Sequence, residues 1–178
     1  MPGRAASPSG SAAGPLHPFP GQVAVAPRSP ATGTGVMTLM STDRVMPVSG
    51  DPIWELELVI PGQKLRRFPA VVGRAGFQSA DRHRLGSQAP LPPGAYEVSE
   101  IEPMRPEDPP QLGRFFWIGL EPLFPTGRRA LGIHHDPSAG RGRDSGTNGC
   151  IGLINGNDVI VLADLLRRHG TRHLMVRD

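Results

Sequence analysis

The chain has 178 residues, a formal charge of +3 and a hydrophobic content of 38%, with 23 glycines and 21 prolines. This length supports one ordinary domain with an appendage. A single cysteine excludes an intramolecular disulfide and a multi-cysteine zinc site. Nucleic-acid binding requires a basic stripe with stacking aromatics, and the weak, scattered charge and 5% aromatic content argue against it. No stretch approaches the roughly 20 apolar residues that span a bilayer.

Residues 1–50 are dominated by Pro, Gly, Ser, Ala and Thr and show no periodic pattern. Such a segment buries too little apolar surface to offset its ordering entropy, so we predict a disordered or linker segment over 1–50 and one domain over 51–178. No basic start followed by about 7 to 15 apolar residues is present, so we predict no signal peptide. Residues 36–40 leave two interpretations open, a later translation start or a short strand.

Residues 53–60 begin the predicted domain and alternate between apolar and acidic side chains, the pattern of a half-buried strand. Pro61 and Gly62 predict a turn, and residues 64–72 predict the second strand of a hairpin. Residues 74–90 are polar and predict a surface loop that borders a cleft.

Three further strands are predicted over residues 95–101, 114–120 and 130–134. The first follows a proline–glycine turn at 92–94. The second contains Phe115, Phe116 and Trp117, whose rings we interpret as core packing.

A helix is predicted over residues 158–169, because four apolar residues fall at i, i+3, i+4 and i+7. Asn155 or Asn157 can cap its start, and Gly170 suits the position after its end. Residues 171–176 predict a closing strand. The predicted fold class is therefore mainly β, with one packed helix near the C-terminal end.

The chemically capable side chains gather between residues 131 and 152, which contain His134, His135 and Cys150. A thiol is a useful nucleophile only as thiolate, and a nearby imidazole can take its proton. Small polar residues around Gly149 predict a turn that displays the thiol. The alternative remains open that the cysteine is a small buried hydrophobe and the histidines are merely solvated.

The order Ile133-His134, loop, then Thr147-Asn148-Gly149-Cys150-Ile151 resembles the signature of the L,D-transpeptidase catalytic domain, or YkuD-like, family. Pro92, Gly94 and Tyr96 resemble a second element of that family, and the resemblance runs from about residue 53 to 177. Two positions depart from the pattern. Asn148 stands where histidine is commonest, and Gly152 stands where arginine or asparagine is usual.

The resemblance implies a β-sandwich or barrel that acts on peptidoglycan stem peptides through a cysteine thioester. Cys150 would be the nucleophile and His134 the general base, and His135 would orient or replace His134. Thr147 and Asn148 would support the loop, and the backbone at Gly149 would bind the oxyanion. The resemblance also implies a monomer in the cell envelope without metal or cofactor, and acylation by carbapenems.

Other functions remain open. Trimming or hydrolysis of stem peptides would use the same Cys/His site, and a catalytically silent module would bind peptidoglycan only. A metal site built from His134, His135, Asp136 and Cys150 is less favoured, because adjacent histidines on a strand point to opposite faces.

Overall fold

The alternating residues near position 53 form a strand of a closed barrel in the computed structural model, which describes residues 34–178. Strands far outweigh helix, so the mainly-β prediction with one packed helix is confirmed. The elements in chain order are β1 (Val36–Val45), β2 (Pro52–Val59), β3 (Arg66–Arg74), β4 (Gly94–Pro103), β5 (Phe116–Pro122), β6 (Leu131–His135), β7 (Gly146–Leu153), α1 (Gly156–His169) and β8 (His173–Val176). Short 3₁₀ turns lie at 75–77 and 110–112.

The strand order around the barrel is β1-β2-β3-β7-β6-β5-β4-β8, and β8 closes it by pairing with β1. The β1–β8 and β6–β7 pairs are parallel, and the other pairs are antiparallel. The prediction of a disordered or linker segment over 1–50 is wrong for residues 36–45, which form β1. The strand interpretation of residues 36–40 is confirmed, and the strand extends to Val45. Residues 1–33 of that prediction lie outside the described residues.

Strand β1 forms because it pairs with β2 and β8, although its own sequence predicts a strand only weakly. Met37 and Leu39 alternate inward and are fully buried, while backbone pairing to β2 and β8 satisfies both edges of the strand. A closed barrel leaves no strand edge open, so this segment is needed to complete the sheet.

The predicted hairpin and helix ends are confirmed. Strands β2 and β3 pair antiparallel, and Gly62 has the positive φ of 77° expected of the turn between them. The Asn155 side chain accepts a hydrogen bond from the Asn157 amide, and Gly170 ends α1 in the left-handed conformation. No described helix is both long and apolar enough to cross a membrane.

The helix packs against β5, β6 and β7 and contributes its apolar face to the single core. Ile133 of β6 and Ile151 of β7 are paired in register and fully buried in that core. Side chains one position away on each strand therefore face the opposite side. The candidate site lies on that face.

Candidate active site

His134 and Cys150 lie on one face of two neighbouring strands. In the parallel register Ile133 is opposite Ile151 and His134 is opposite Gly152, so Cys150, two residues before Gly152, is diagonal to His134 on the same face. Both residues line one cavity of about 90 Å³, together with Arg74, Gln111, Leu112, Gly146, Thr147 and Asn148. The structure thus brings together the imidazole and the thiol that the sequence singled out.

The His134 ring is held on two sides. Its Nδ1 is 2.8 Å from the carbonyl oxygen of His135, and because a carbonyl can only accept, Nδ1 carries the proton. The Trp117 indole stacks on the ring at 6.1 Å between centroids. Burial lowers the pKa of His134, against the opposing effects of the backbone carbonyls of His135 and Leu112 and of the negative charge of Asp136. The resting imidazole is therefore neutral, with Nε2 as its proton acceptor.

The ring of His135 points away from this cavity. It packs near Phe115, with ring centroids 5.9 Å apart, and a side chain at position 113 would collide with it. The residue contributes to the site through its backbone carbonyl, which fixes the tautomer of His134.

Cys150 has 8% of its surface exposed and lies within strand β7, so the prediction of a turn that displays the thiol is wrong. Cys150 lies in an irregular stretch of β7, between the Gly146 pair with Arg74 and the resumption of regular pairing at Ile151, and the surrounding elements bury it there. The Sγ donates to the carbonyl oxygen of Ala130 at 3.7 Å. Burial raises the pKa of the thiol to about 11, although the backbone of Gly132 and the charge of Arg128 oppose this. The resting thiol is therefore protonated.

The Thr147 hydroxyl organises the segment before Cys150. It donates to the Cys150 carbonyl at 2.6 Å and accepts from the amides of Gly73 at 3.1 Å and Gly149 at 3.2 Å. Since the Gly149 amide is already engaged, it is not free to bind an oxyanion in this conformation. Asn148 is exposed, and its side-chain oxygen accepts from Gln88.

Two residues near the thiol have a strained backbone. Ala130, which accepts the Cys150 thiol, has a φ of 51°, and Gln88, which contacts Asn148, has a φ of 56°. Residues other than glycine rarely adopt such angles, and strain of this kind is concentrated at functional sites. Gln88 belongs to the polar stretch predicted to border a cleft, and it does lie beside the site.

Gly152 is packed too tightly to carry a side chain. A Cβ there would lie 2.6 Å from the Asp136 Cβ and 2.7 Å from the Thr147 Cγ2. Asp136 is buried, and its Oδ2 has no hydrogen-bond partner in the described part of the chain. The space beside position 152 is therefore already filled by Asp136 and Thr147.

A second cavity, of about 420 Å³, opens on another side of Cys150. Its lining is formed by Leu85, Gly86, Leu112, Trp117, Arg128, Arg129, Ala130, Asn148 and Cys150. Sequence reasoning missed Trp117 and Arg128 as site residues. The interpretation of residues 115–117 as core packing holds for Phe115 and Phe116 but not for Trp117, which stacks on His134. No motif distinguishes Arg128 from the other arginines.

The arrangement can perform acyl transfer by a thiol, because a nucleophile, a proton acceptor and space for a substrate adjoin one another. Among residues 34–178 no group of three or more His, Cys, Asp or Glu side chains gathers as metal ligands would.

Comparison with known proteins gives one match. A family model described as the L,D-transpeptidase catalytic domain (YkuD) matches residues 53–174, which is more than half of the chain. Searches of curated proteins and of solved structures return no match.

Proposed function

We propose that this chain, which belongs to the L,D-transpeptidase catalytic domain family, is a cysteine-dependent acyltransferase acting on peptidoglycan stem peptides in the cell envelope. Family membership supplies the substrate class. The single observation that carries the assignment of residues is that His134 and Cys150 share one face of adjacent strands and line one cavity.

The first half-reaction forms a thioester. Nε2 of His134 takes the Sγ proton of Cys150 as the sulfur attacks the carbonyl carbon of a peptide bond next to a diamino acid of the stem. The carbonyl π electrons move onto oxygen to give a tetrahedral oxyanion. Its collapse breaks the C–N bond, and the departing amine of the terminal D-residue takes the proton from His134.

The second half-reaction consumes the thioester. An amine of a neighbouring stem attacks the acyl carbon, gives its proton to His134 and restores the Cys150 thiol as a new peptide bond forms. Water in place of the amine would leave a trimmed stem. The same two side chains serve both outcomes, and access of the acceptor decides between them.

An uncharged pair of His134 and Cys150 is consistent with this mechanism. The pKa of His134 is lowered and that of Cys150 is raised to about 11, so the resting pair is uncharged. The proton therefore passes from the Cys150 sulfur to His134 in the course of the attack, as general-base catalysis requires. The Cys150 backbone amide is the proposed oxyanion donor, since the Gly149 amide donates to Thr147.

Intact-mass spectrometry after incubation with a carbapenem tests the nucleophile. We expect one adduct on the wild type and none on Cys150→Ala. His134→Gln should slow adduct formation by about 100-fold or more, as loss of a general base does. His173→Gln, which changes an exposed histidine outside both cavities, is the matched control and should react as the wild type.

Purified stem tetrapeptides then identify the reaction. Cross-linked dimers support transpeptidation, and tripeptides alone indicate trimming. A wild type that forms no adduct and changes no stem peptide, yet sediments with peptidoglycan, would show a silent binding module and overturn the proposal.

A further inference from the structure

Arg128 is a buried charge without a carboxylate partner. It is 3% exposed, and no salt bridge to it exists among residues 34–178. Its guanidinium donates to neutral oxygens only, namely those of Arg82 at 3.1 Å, Ser87 at 3.4 Å, Ala89 at 3.2 Å, Pro90 at 3.4 Å and Asn148 at 3.4 Å. Burial of an uncompensated charge is costly, so such a charge is a candidate for a functional role.

The guanidinium lies against the residue that precedes the nucleophile. A Cβ at Gly149 would collide with the Arg128 Nη2, and Gly149 has a φ of 112°. Glycine is therefore required at position 149, since any side chain would displace the guanidinium. Arg128 and Cys150 also line the same 420 Å³ cavity.

The other charged groups around these two residues leave Arg128 without a counterion. Neither cavity that Cys150 lines has an aspartate or glutamate in its lining; the titratable side chains there are His134, Arg74 and Arg129. Arg82 and Tyr96 also interact electrostatically with Arg128, and burial raises the pKa of Tyr96, which keeps its hydroxyl neutral. The carboxylates nearby have other partners, since Asp178 pairs with Arg82 and Asp136 accepts from Ser138. Negative charge that develops at Cys150 is therefore the anion that Arg128 adjoins in their shared cavity.

We propose that Arg128 is a positioning residue that stabilises the anionic states at Cys150, the thiolate and the tetrahedral oxyanion, and that holds the Asn148 carbonyl beneath the nucleophile. The oxyanion part rests on the proposed function, whereas the thiolate part requires no substrate. Position 152 is a glycine and carries no charge. The cation near Cys150 is instead Arg128, which lies in the segment between β5 and β6. Opposite charge near a thiol favours the thiolate, and a preorganised cation does the same for an oxyanion.

The pH dependence of Cys150 alkylation by iodoacetamide tests this proposal without substrate. Arg128→Gln keeps hydrogen-bond donors but removes the charge, and Arg128→Lys keeps the charge. Loss of an adjacent cation is expected to raise the pKa of the thiol by about two units. At any pH below the pKa, the fraction of thiolate then falls about 100-fold. The more basic thiolate regains roughly tenfold in reactivity, so Arg128→Gln should react about tenfold more slowly at pH 8.

The Lys variant should react within about threefold of the wild type by the same reasoning. Arg66→Gln, which changes an exposed arginine outside both cavities, is the control and should move the rate by less than about twofold, as exposed and distant charges are screened. Equal rates for folded Arg128→Gln and wild type would overturn the proposal. If Arg128→Gln does not fold, the Lys variant decides, and a tenfold loss there would contradict a role for the charge.

The two proposals fail separately. Slow alkylation of Arg128→Gln together with no carbapenem adduct on the wild type would leave Arg128 as a thiolate-stabilising residue and reject the transpeptidase assignment. A carbapenem adduct on the wild type, together with an unchanged alkylation rate for Arg128→Gln, would support the transpeptidase assignment and reject the role of Arg128.

Discussion

The indole of Trp117 stacks on the imidazole of His134 with an interplanar angle of 21° and 6.1 Å between ring centroids. The contact is possible because position 132 is glycine; a Cβ there would lie 2.5 Å from the indole. The indole Nε1 donates to Glu100 at 3.1 Å, which fixes the ring from its other end. Trp117 therefore limits the movement of the proposed base.

Trp117→Ala should lower the rate of carbapenem acylation by about three- to tenfold, since a stacked aromatic pair contributes roughly 0.5–1.5 kcal/mol. Trp117→Phe keeps a ring and should lose less than half of that free energy. Stopped-flow acylation kinetics provide the measurement. Equal rates for Trp117→Ala and wild type would show that the stacking has no catalytic role.

The acylation rate should rise with pH along a limb whose midpoint lies below 6.5, because burial lowers the pKa of His134 from that value and only the neutral ring accepts a proton. Below this midpoint His134 is protonated and activity is lost. His134→Gln should abolish the limb, and His135→Gln should leave it in place. A midpoint above 7 in the wild type would contradict a buried neutral base.

The hydroxyl of Thr147 should be essential to the geometry of the site. Thr147→Val keeps the shape but leaves the Cys150 carbonyl and the amides of Gly73 and Gly149 without their partner. We expect a loss of about 1–3 kcal/mol in the free energy of unfolding, the cost of buried unsatisfied groups. Thr147→Ser retains the hydroxyl and should lose less than half as much in urea denaturation; equal losses would show that the methyl group matters more.

Gly152→Arg introduces the residue type that the sequence resemblance leads one to expect at this position, yet it should destabilise this protein. Its Cβ would meet Asp136 and Thr147 at 2.6 and 2.7 Å, and overpacking of this kind costs about 1–3 kcal/mol or more. Gly76→Arg is the matched control, because a Cβ there has no neighbour within 4 Å. Equal thermal midpoints for the two variants would contradict the proposed crowding.

Strand β1 should be part of the folding unit although it precedes the matched residues 53–174. Leu39→Ala removes a fully buried side chain and should cost about 2–5 kcal/mol in the free energy of unfolding. Ser41→Ala, on an exposed position of the same strand, should change it by less than about 0.5 kcal/mol. A loss below 0.5 kcal/mol for Leu39→Ala in chemical denaturation would show that β1 is dispensable.

The sequence by itself determined the elements whose signals are local. Alternation over 53–60, the turn at Pro61 and Gly62, and the caps at Asn155 and Gly170 each depend on a few neighbouring residues, and each lies where it was predicted. The pair of His134 and Cys150 could also be named from residue type and order.

Features that depend on contacts between distant parts of the chain could be determined only from the tertiary structure. Strand β1 is completed by pairing with β8, far along the chain, and the burial of Cys150 depends on the elements packed around an irregular stretch of β7; no local propensity encodes either. The antiparallel register of β5 and β6, in which Ile118 is opposite Ile133, brings Trp117 onto His134. The segment between these two strands places Arg128 against Gly149, a contact that no local pattern predicts.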